Sequence, residues 1–348
     1  MLASISLFAV FLSASAVSAG AQDSPELIRS HGDANGVVLV NVKAVLLGDV
    51  SLIALTDPEP AVHALRGAGL DEWGREGRGP AELKDPVAIT WAGKDLLVLD
   101  QNQQKLVSYR ADGTFLSSRA LGGVWANRVF VVGADTVLGT FTLAGSAVVR
   151  LRGSSADTIL AFNPSQDQLV LKAAGAPSLT LPQPFAALDR WTLLPGGVVA
   201  HWQPEDDQLH FYNIDGKPVG QATVPAGDVL VSEADREYWV ETAIPEDFMG
   251  RRVFEPLRPI ARDRATFPRL FPAVLNLLPD PNGNVWIQRS VASSGESWIS
   301  VDRAGRVVSE VELPVGRELL AVGREELAVL SKDEWDIETI ELYARPSG

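Results

Sequence analysis

Six short apolar runs recur along the chain, each entered through a turn. VSLIALTD follows Gly48-Asp49, LLVLD follows Gly93-Lys94-Asp95, and VLGTF follows Gly133-Ala134-Asp135-Thr136. VVAHW follows Pro195-Gly196-Gly197, VWIQ follows Asn282-Gly283-Asn284, and LAVLS follows Arg324-Glu325-Glu326. The runs begin at Val50, Leu96, Val137, Val198, Val285 and Leu327. Each has strand length, is rich in Val, Leu and Ile, and is bounded by turn residues, so each predicts a β-strand. A second class of turn recurs later in three of the units: Ala111-Asp112-Gly113, Ile214-Asp215-Gly216 and Arg303-Ala304-Gly305. The glycines supply the positive φ of a tight hairpin. KLVSY from Lys105, QLHFY from Gln208 and SWISV from Ser297 precede these turns, and further strands follow at 115–119, 218–223 and 307–312. The unit therefore reads strand, turn, strand, loop, strand, turn, strand. Four antiparallel strands, repeated six times, predict an all-β fold, a six-bladed β-propeller of four-stranded antiparallel blades.

The spacing is uneven, and two gaps predict insertions. The first covers residues 162–188; the larger covers about 227–271, between blades 4 and 5. Ser232 and Asp235 have the spacing of a capping box, so EADREYWVETA is predicted to be a helix that ends before Pro245. The last unit offers only three strands, in 319–322, 327–331 and 337–344. Residues 24–29 are the expected fourth, which would protect the open edges of the first and last blades.

Residues 1–21 read as a signal peptide. Leu2 to Val17 is apolar and small, and Ala19-Gly20-Ala21 has the form of a cleavage site, so the cut is expected after Ala21. Residues 22–348 are expected to form a single propeller domain in the periplasm or outside the cell. No other run approaches a membrane span. The chain has no cysteine, which excludes disulfides, thiolate metal sites and a lipoprotein anchor. Its net charge of −14 disfavours nucleic acid as a partner.

Residues 74–115 carry a resemblance. Gly74, Gly77, Gly79, Pro80 and Glu82, then Pro86-Val87-Ala88-Ile89, the strand ending at Asp100, Asn102 and Val107 follow the pattern of the NHL-repeat-like six-bladed propellers. Leu83 stands where that pattern has an aromatic residue. The other blades match at strand level and at Asn282-Gly283-Asn284-Val285-Trp286. The whole resembles exported bacterial six-bladed propellers, a group mostly without assigned activity. The resemblance implies the fold and says little about function.

Candidate chemistry is sparse. The loop Gly74-Arg75-Glu76-Gly77-Arg78-Gly79-Pro80 is rich in glycine, yet it lacks a Gly-Lys-Ser/Thr ending and opens onto no helix. It reads as an inter-blade crossing, with Arg75 and Arg78 as rim cations. His31, His63, His201 and His210 show no metal-binding spacing. Asp100, Asn102 and Asn127 are candidates to face the axis, although Asp after a strand is commonly a turn residue. No G-x-S-x-G elbow is present. Trp91, Trp202, Trp286 and Trp298 read as core, whereas Trp73, Trp125, Trp191, Trp239 and Trp335 lie nearer loops. The larger insertion holds a basic island of Arg251, Arg252, Arg258, Arg262, Arg264 and Arg269 against only Glu255 and Asp263. Guanidinium groups suit an anionic ligand or partner; the plainer reading is that they dock the insertion onto acidic edges.

The expectation is an exported, soluble, non-catalytic binding or scaffolding propeller. It would meet a protein or anionic ligand at one face through Arg75, Arg78, Arg251, Arg252, Arg258 and Arg262. No catalytic residue, metal ligand or cofactor is assigned. One alternative is a metal-dependent lyase or lactonase-type hydrolase with its site at the channel mouth. Another is a small-ligand sensor that uses the central channel.

Overall fold

The computed structural model describes residues 25–32, 39–48, 52–56, 60–66, 69–142, 145–153, 155–162, 168–225, 227–244, 253–290, 295–333, 335 and 337–346. The expected signal peptide lies outside them. The described residues form six four-stranded antiparallel sheets, arranged as the blades of a propeller. Strand β1 (Leu27–His31) belongs to the last sheet. Blade 1 is β2 (Ala44–Leu47), β3 (Leu52–Thr56), β4 (Ala61–Arg66) and β5 (Gly69–Trp73). Blade 2 is β6 (Pro86–Ala92), β7 (Asp95–Asp100), β8 (Lys105–Tyr109) and β9 (Phe115–Ala120). Blade 3 is β10 (Ala126–Val132), β11 (Asp135–Thr142), β12 (Gly145–Arg152) and β13 (Ser155–Phe162). A separate hairpin, β14 (Gln168–Leu171) and β15 (Leu179–Pro182), follows. Blade 4 is β16 (Arg190–Leu194), β17 (Val198–Gln203), β18 (Gln208–Asn213) and β19 (Pro218–Thr223). Helices α1 (Glu233–Ala243) and α2 (Arg258–Arg264) separate it from blade 5. These are blades 5 and 6 if the sheet holding β1 is counted first. Blade 5 is β20 (Asn276–Pro279), β21 (Val285–Arg289), β22 (Glu296–Val301) and β23 (Val307–Leu313). Blade 6 is β24 (Arg317–Val322), β25 (Glu326–Lys332), β26 (Glu338–Ala344) and β1.

All six apolar runs become the second strand of a blade. A second strand is covered on both faces by neighbouring blades, so it needs no polar alternation. Strand β3 is buried throughout, and β17 is buried except at its last residue. The outermost strand β9 is exposed along its whole length, which is why outer strands are faint in the sequence. Each pair of adjacent blades shares an apolar core. Ile53, Leu55, Val62 and Trp73 of blade 1 meet Leu96, Val98, Val107 and Tyr109 of blade 2. The ring closes the same way, with Leu52, Ala54 and Leu65 of blade 1 against Ala328, Leu330, Ile340 and Leu342 of blade 6.

The three Gly turns behave alike. The amides of Gly113, Gly216 and Gly305 donate to the carbonyls of Arg110, Asn213 and Asp302 at 2.9, 2.9 and 3.0 Å. At Gly113, φ is +85°, and a Cβ there would stand 2.4 Å from the Trp73 indole of the previous blade. Only glycine permits both the turn and that approach. Trp73 and Trp191, expected near loops, are core residues with 5% and 8% exposure.

Strand β1 pairs with β26 from Leu27↔Tyr343 to His31↔Ile340, so the N-terminal segment completes blade 6 as expected. The two insertions form one cap. Helix α1 begins with the expected capping box at Ser232 and Asp235 and ends at Ile244; Pro245 lies outside the described residues. Leu169 and Leu171 of the hairpin pack with Val240, Ile244, Phe254, Leu257 and Ala261 of the helical segment. Helix α2 is an element that the sequence pattern does not predict. It turns inward on little more than Ala261 and Ile260, and its other side chains hide the helical period.

Candidate functional site

In each blade the first strand is innermost and the fourth outermost. The fourth strand ends, and the next first strand begins, at one face of the ring: the crossing face. The tight turns between first and second strands lie at the opposite, turn face. A cavity of about 940 Å³ opens along the axis toward the turn face. All six innermost strands line it, through residues such as Leu47, Trp91, Phe130, Leu193, Leu278 and Leu320. Its walls are mainly apolar. An innermost strand has no strand on its axial side, and side chains of a neighbouring blade serve some of its carbonyls. Trp91 donates to Leu47 O at 3.1 Å, and Arg128 donates to Trp191 O.

Both insertions and the glycine loop are crossing connections, so the described candidate arginines share one face. Arg75 and Arg78 lie in the loop from blade 1 to blade 2; Arg258 and Arg262 lie on α2. Arg251 and Arg252 lie outside the described residues. Arg258 pairs with Glu241 at 2.7 Å, and Arg262 pairs with Glu237 at 3.0 Å and Glu241 at 2.7 Å. These two arginines clamp α2 to α1. Arg264 and Arg269 are exposed.

The glycine loop already holds an anion, the carboxylate of its own Glu82. Gly79 N donates to Glu82 Oε2 at 2.7 Å, and Arg75 Nε donates to Oε1 at 3.0 Å. The Gly79 amide first, then Arg75, holds the Glu82 carboxyl below its ordinary range. A Cβ at Gly77 would stand 2.1 Å from Glu82 Oε2, so the glycine makes room for that carboxylate. Blade 2 straps the loop down. Lys105 Nζ donates to Gly79 O at 2.8 Å and Glu82 O at 2.6 Å, and Tyr109 donates to Ala81 O at 2.7 Å. Burial pulls the Lys105 ammonium pKa down, against Asp100 and Glu82, and pushes the Tyr109 hydroxyl up to about 12. Asp100 is fully buried and accepts from Lys84 N, Asp85 N and Gln103, so it is a turn residue and not an axial ligand. Asn102 is exposed in the same turn, and Asn127 is exposed beside a bulge in β10. Changing Glu82 to Ala should free this loop: limited proteolysis is expected to cut within 74–85 several-fold faster. Unchanged cleavage would show that Glu82 does not hold the loop.

His201 and His210 are cross-strand partners on β17 and β18, yet they bond different side chains. His63 Nε2 meets Thr56 Oγ1 at 2.8 Å, His201 meets Asp189 at 2.7 Å, and His210 meets Asp206 at 2.8 Å. Among the described residues, no group of three or more His, Asp or Glu could hold a metal ion. Among them, too, no helix is long and apolar enough to cross a membrane.

The three exposed Trp and Tyr side chains among the described residues all lie at the crossing face. Trp125 precedes β10, Tyr238 is on α1, and Trp335 is in the β25–β26 loop; their exposures are 46%, 70% and 76%. Trp125 is braced by Phe141 at 6.4 Å between ring centres. The sequence placed Trp125 and Trp335 near loops but gave no sign that they share a face with Tyr238.

This is the geometry of a six-bladed β-propeller with a capped crossing face. No family model matches the chain, and no curated protein matches it in sequence. Solved structures match its fold. A member of the duf4221 family from Bacteroides vulgatus has a TM-score of 0.55 at 12% identity, over 93% of this chain and 99% of that one. A candidate exported protein from Bacteroides fragilis has a TM-score of 0.52 at 12% identity, over 93% and 95%. At such identity the likeness is one of fold alone.

Proposed function

We propose that this chain is an NHL-like exported propeller whose role is non-catalytic binding, with its partner seated on the crossing face. On this reading residues 22–348 act as one domain in the periplasm or outside the cell. The observation that carries it is the gathering of Trp125, Tyr238 and Trp335 on one face, beside a cap that breaks the repeat. Exposed Trp and Tyr dominate binding hot spots because they bury large area with little loss of side-chain freedom. The partner is a protein whose carboxylates meet the exposed guanidinium groups of the same face, Arg78 in the glycine loop and Arg264 and Arg269 of the cap, while Arg262 holds the cap in place. Arg75 and Arg258 support those positions, and Arg251 and Arg252 belong to the same basic segment.

The test is quantitative recovery of partners by the mature chain. Trp125→Ala with Trp335→Ala should reduce recovery at least about tenfold, the scale of a hot-spot loss. Lys94→Ala, on the turn face, should leave recovery unchanged. Equal recovery by all three chains would overturn the reading.

A further inference from the structure

The axial cavity is where blade packing leaves apolar surface uncovered. It is lined by the turn-face half of every innermost strand and by the turn that follows, in residues 45–48, 89–91, 130–133, 193–196, 278–281 and 320–326. The crossing-face ends of those strands, such as Ala44, Pro86, Ala126, Asn276 and Arg317, are not among its lining residues. Leu47, Trp91, Phe130, Leu278 and Leu320 come from five different blades, and each is only half-buried. Strand β3, one position outward in blade 1, is buried throughout.

The aromatic part of the wall is fixed in place. Trp91 is tethered by its hydrogen bond to Leu47 O at 3.1 Å, and Phe130 is braced by Trp191 at 5.6 Å between ring centres. These two rings belong to adjacent blades, 2 and 3. A wall held this way is formed before a ligand arrives, so little ordering is left to oppose binding. The volume of about 940 Å³ lies within the range of sites that enclose a small organic molecule.

Charge is confined to the mouth. Of the lining residues, Asp280, Arg324, Glu325 and Glu326 are ionisable. Asp280 is fully buried, and its carboxylate is taken up by Arg345 at 2.9 and 2.5 Å and by the Asn282 amide at 2.8 Å. The other three belong to one turn, between β24 and β25. Other turns bring Gly48, Gly133, Gly196 and Pro281 to the rim, and none of these reaches across it. A charged group that entered the shaft would lose its water and meet no free opposite charge. An apolar body would instead cover the half-buried side chains.

We propose that the turn-face cavity is a binding site for an uncharged, largely apolar small molecule, an aromatic one seated against Trp91 and Phe130. The site is on the opposite face from the protein partner of the crossing-face reading, and neither depends on the other.

The experiment titrates the mature chain by calorimetry with naphthylmethanol, naphthoate and naphthylmethylammonium, one ring system in three charge states. The neutral alcohol should bind one to one, and at least about tenfold more tightly than either ion, because each ion must be desolvated without a partner. Leu320→Glu, which places a carboxylate in the wall, should weaken binding of the alcohol at least about tenfold. Val219→Glu, on the exposed outer strand of blade 4, should leave it unchanged. The comparison of the three probes uses the unaltered chain, so it stands even if Leu320→Glu unsettles the fold. No binding of the alcohol, an ion that matches it, unchanged binding in folded Leu320→Glu, or equal loss in Val219→Glu would each overturn the proposal.

Discussion

An Arg345→Ala chain is expected to melt roughly 4–7 °C below the unaltered one, corresponding to a loss of about 3–5 kcal/mol. Arg345 follows β26 and reaches the Asp280 turn of blade 5. Its Nη1 donates to Asp280 Oδ1 at 2.9 Å and its Nη2 to Oδ2 at 2.5 Å. The same guanidinium lies 5.7 Å from the Trp286 ring centre and donates to Gly323 O at 3.2 Å. Asp280 is fully buried and the Arg345 side chain is 10% exposed. Removing the arginine leaves a carboxylate without solvent or cation, a far larger loss than breaking a surface pair. Removing both partners together should cost less than the sum of the single changes.

The same pair makes an acid-sensitivity prediction. Burial acts to raise the Asp280 pKa, but the Arg345 hydrogen bonds, the Asn282 amide and the Arg345 charge outweigh it, and the net shift is downward. A depressed carboxyl pKa stabilises the fold above the unfolded value, near 3.9 for Asp, and loses that contribution as pH falls through the folded value. Melting temperatures of the unaltered and Arg345→Ala chains should therefore converge below about pH 4. A constant gap down to pH 2 would show that the pair is not the cause.

Removing β1, in a chain that begins at Gly32, should cost about 4 kcal/mol and produce self-association. The strand is mostly exposed, so little of its contribution is apolar burial. What it supplies is backbone pairing along β26, with four matched positions; at about 1 kcal/mol per net hydrogen bond, this gives the estimate. Without it, β26 becomes a seven-residue edge carrying Ile340 and Leu342, a template for another chain. Light scattering should show larger species than the intact chain forms, and a peptide of residues 24–32 added in excess should suppress them. Unchanged size and melting temperature would remove β1 from the account of ring closure.

The fold was legible where burial is two-sided. Second strands such as β17 read directly, because both faces meet apolar neighbours and nothing polar interrupts VVAHW. Outer strands such as β9 carry no such signal, and only the Gly turns betrayed them. Helix α1 announced itself through its cap, whereas α2 has too few inward residues to show a period. The candidate site was less legible, for a geometric reason. Trp125, Tyr238 and Trp335 are scattered over three separate segments and belong to no motif. What gathers them is the return of the chain to the crossing face at each blade, which no local pattern reveals. The basic island was visible as composition, but Glu237 and Glu241, which engage Arg258 and Arg262, lie on another helix. The glycine loop reads as a crossing in the sequence, but nothing local shows that Glu82 folds back to fill it.

Because the last blade takes its outer strand from the start of the chain, ring closure has an order in time. A nascent chain that ends before β24 has its first strand and five blades, but no sheet for that strand to join. Leu52, Ala54 and Leu65 then face water on one side, and Val311 and Leu313 do so on the other, until Leu327 to Leu330 and Ile340 arrive. Residues 317–344 thus act as a keystone for the blades made before them. Loss of those residues should be felt by the whole molecule, and the ring should close only once β26 has been made.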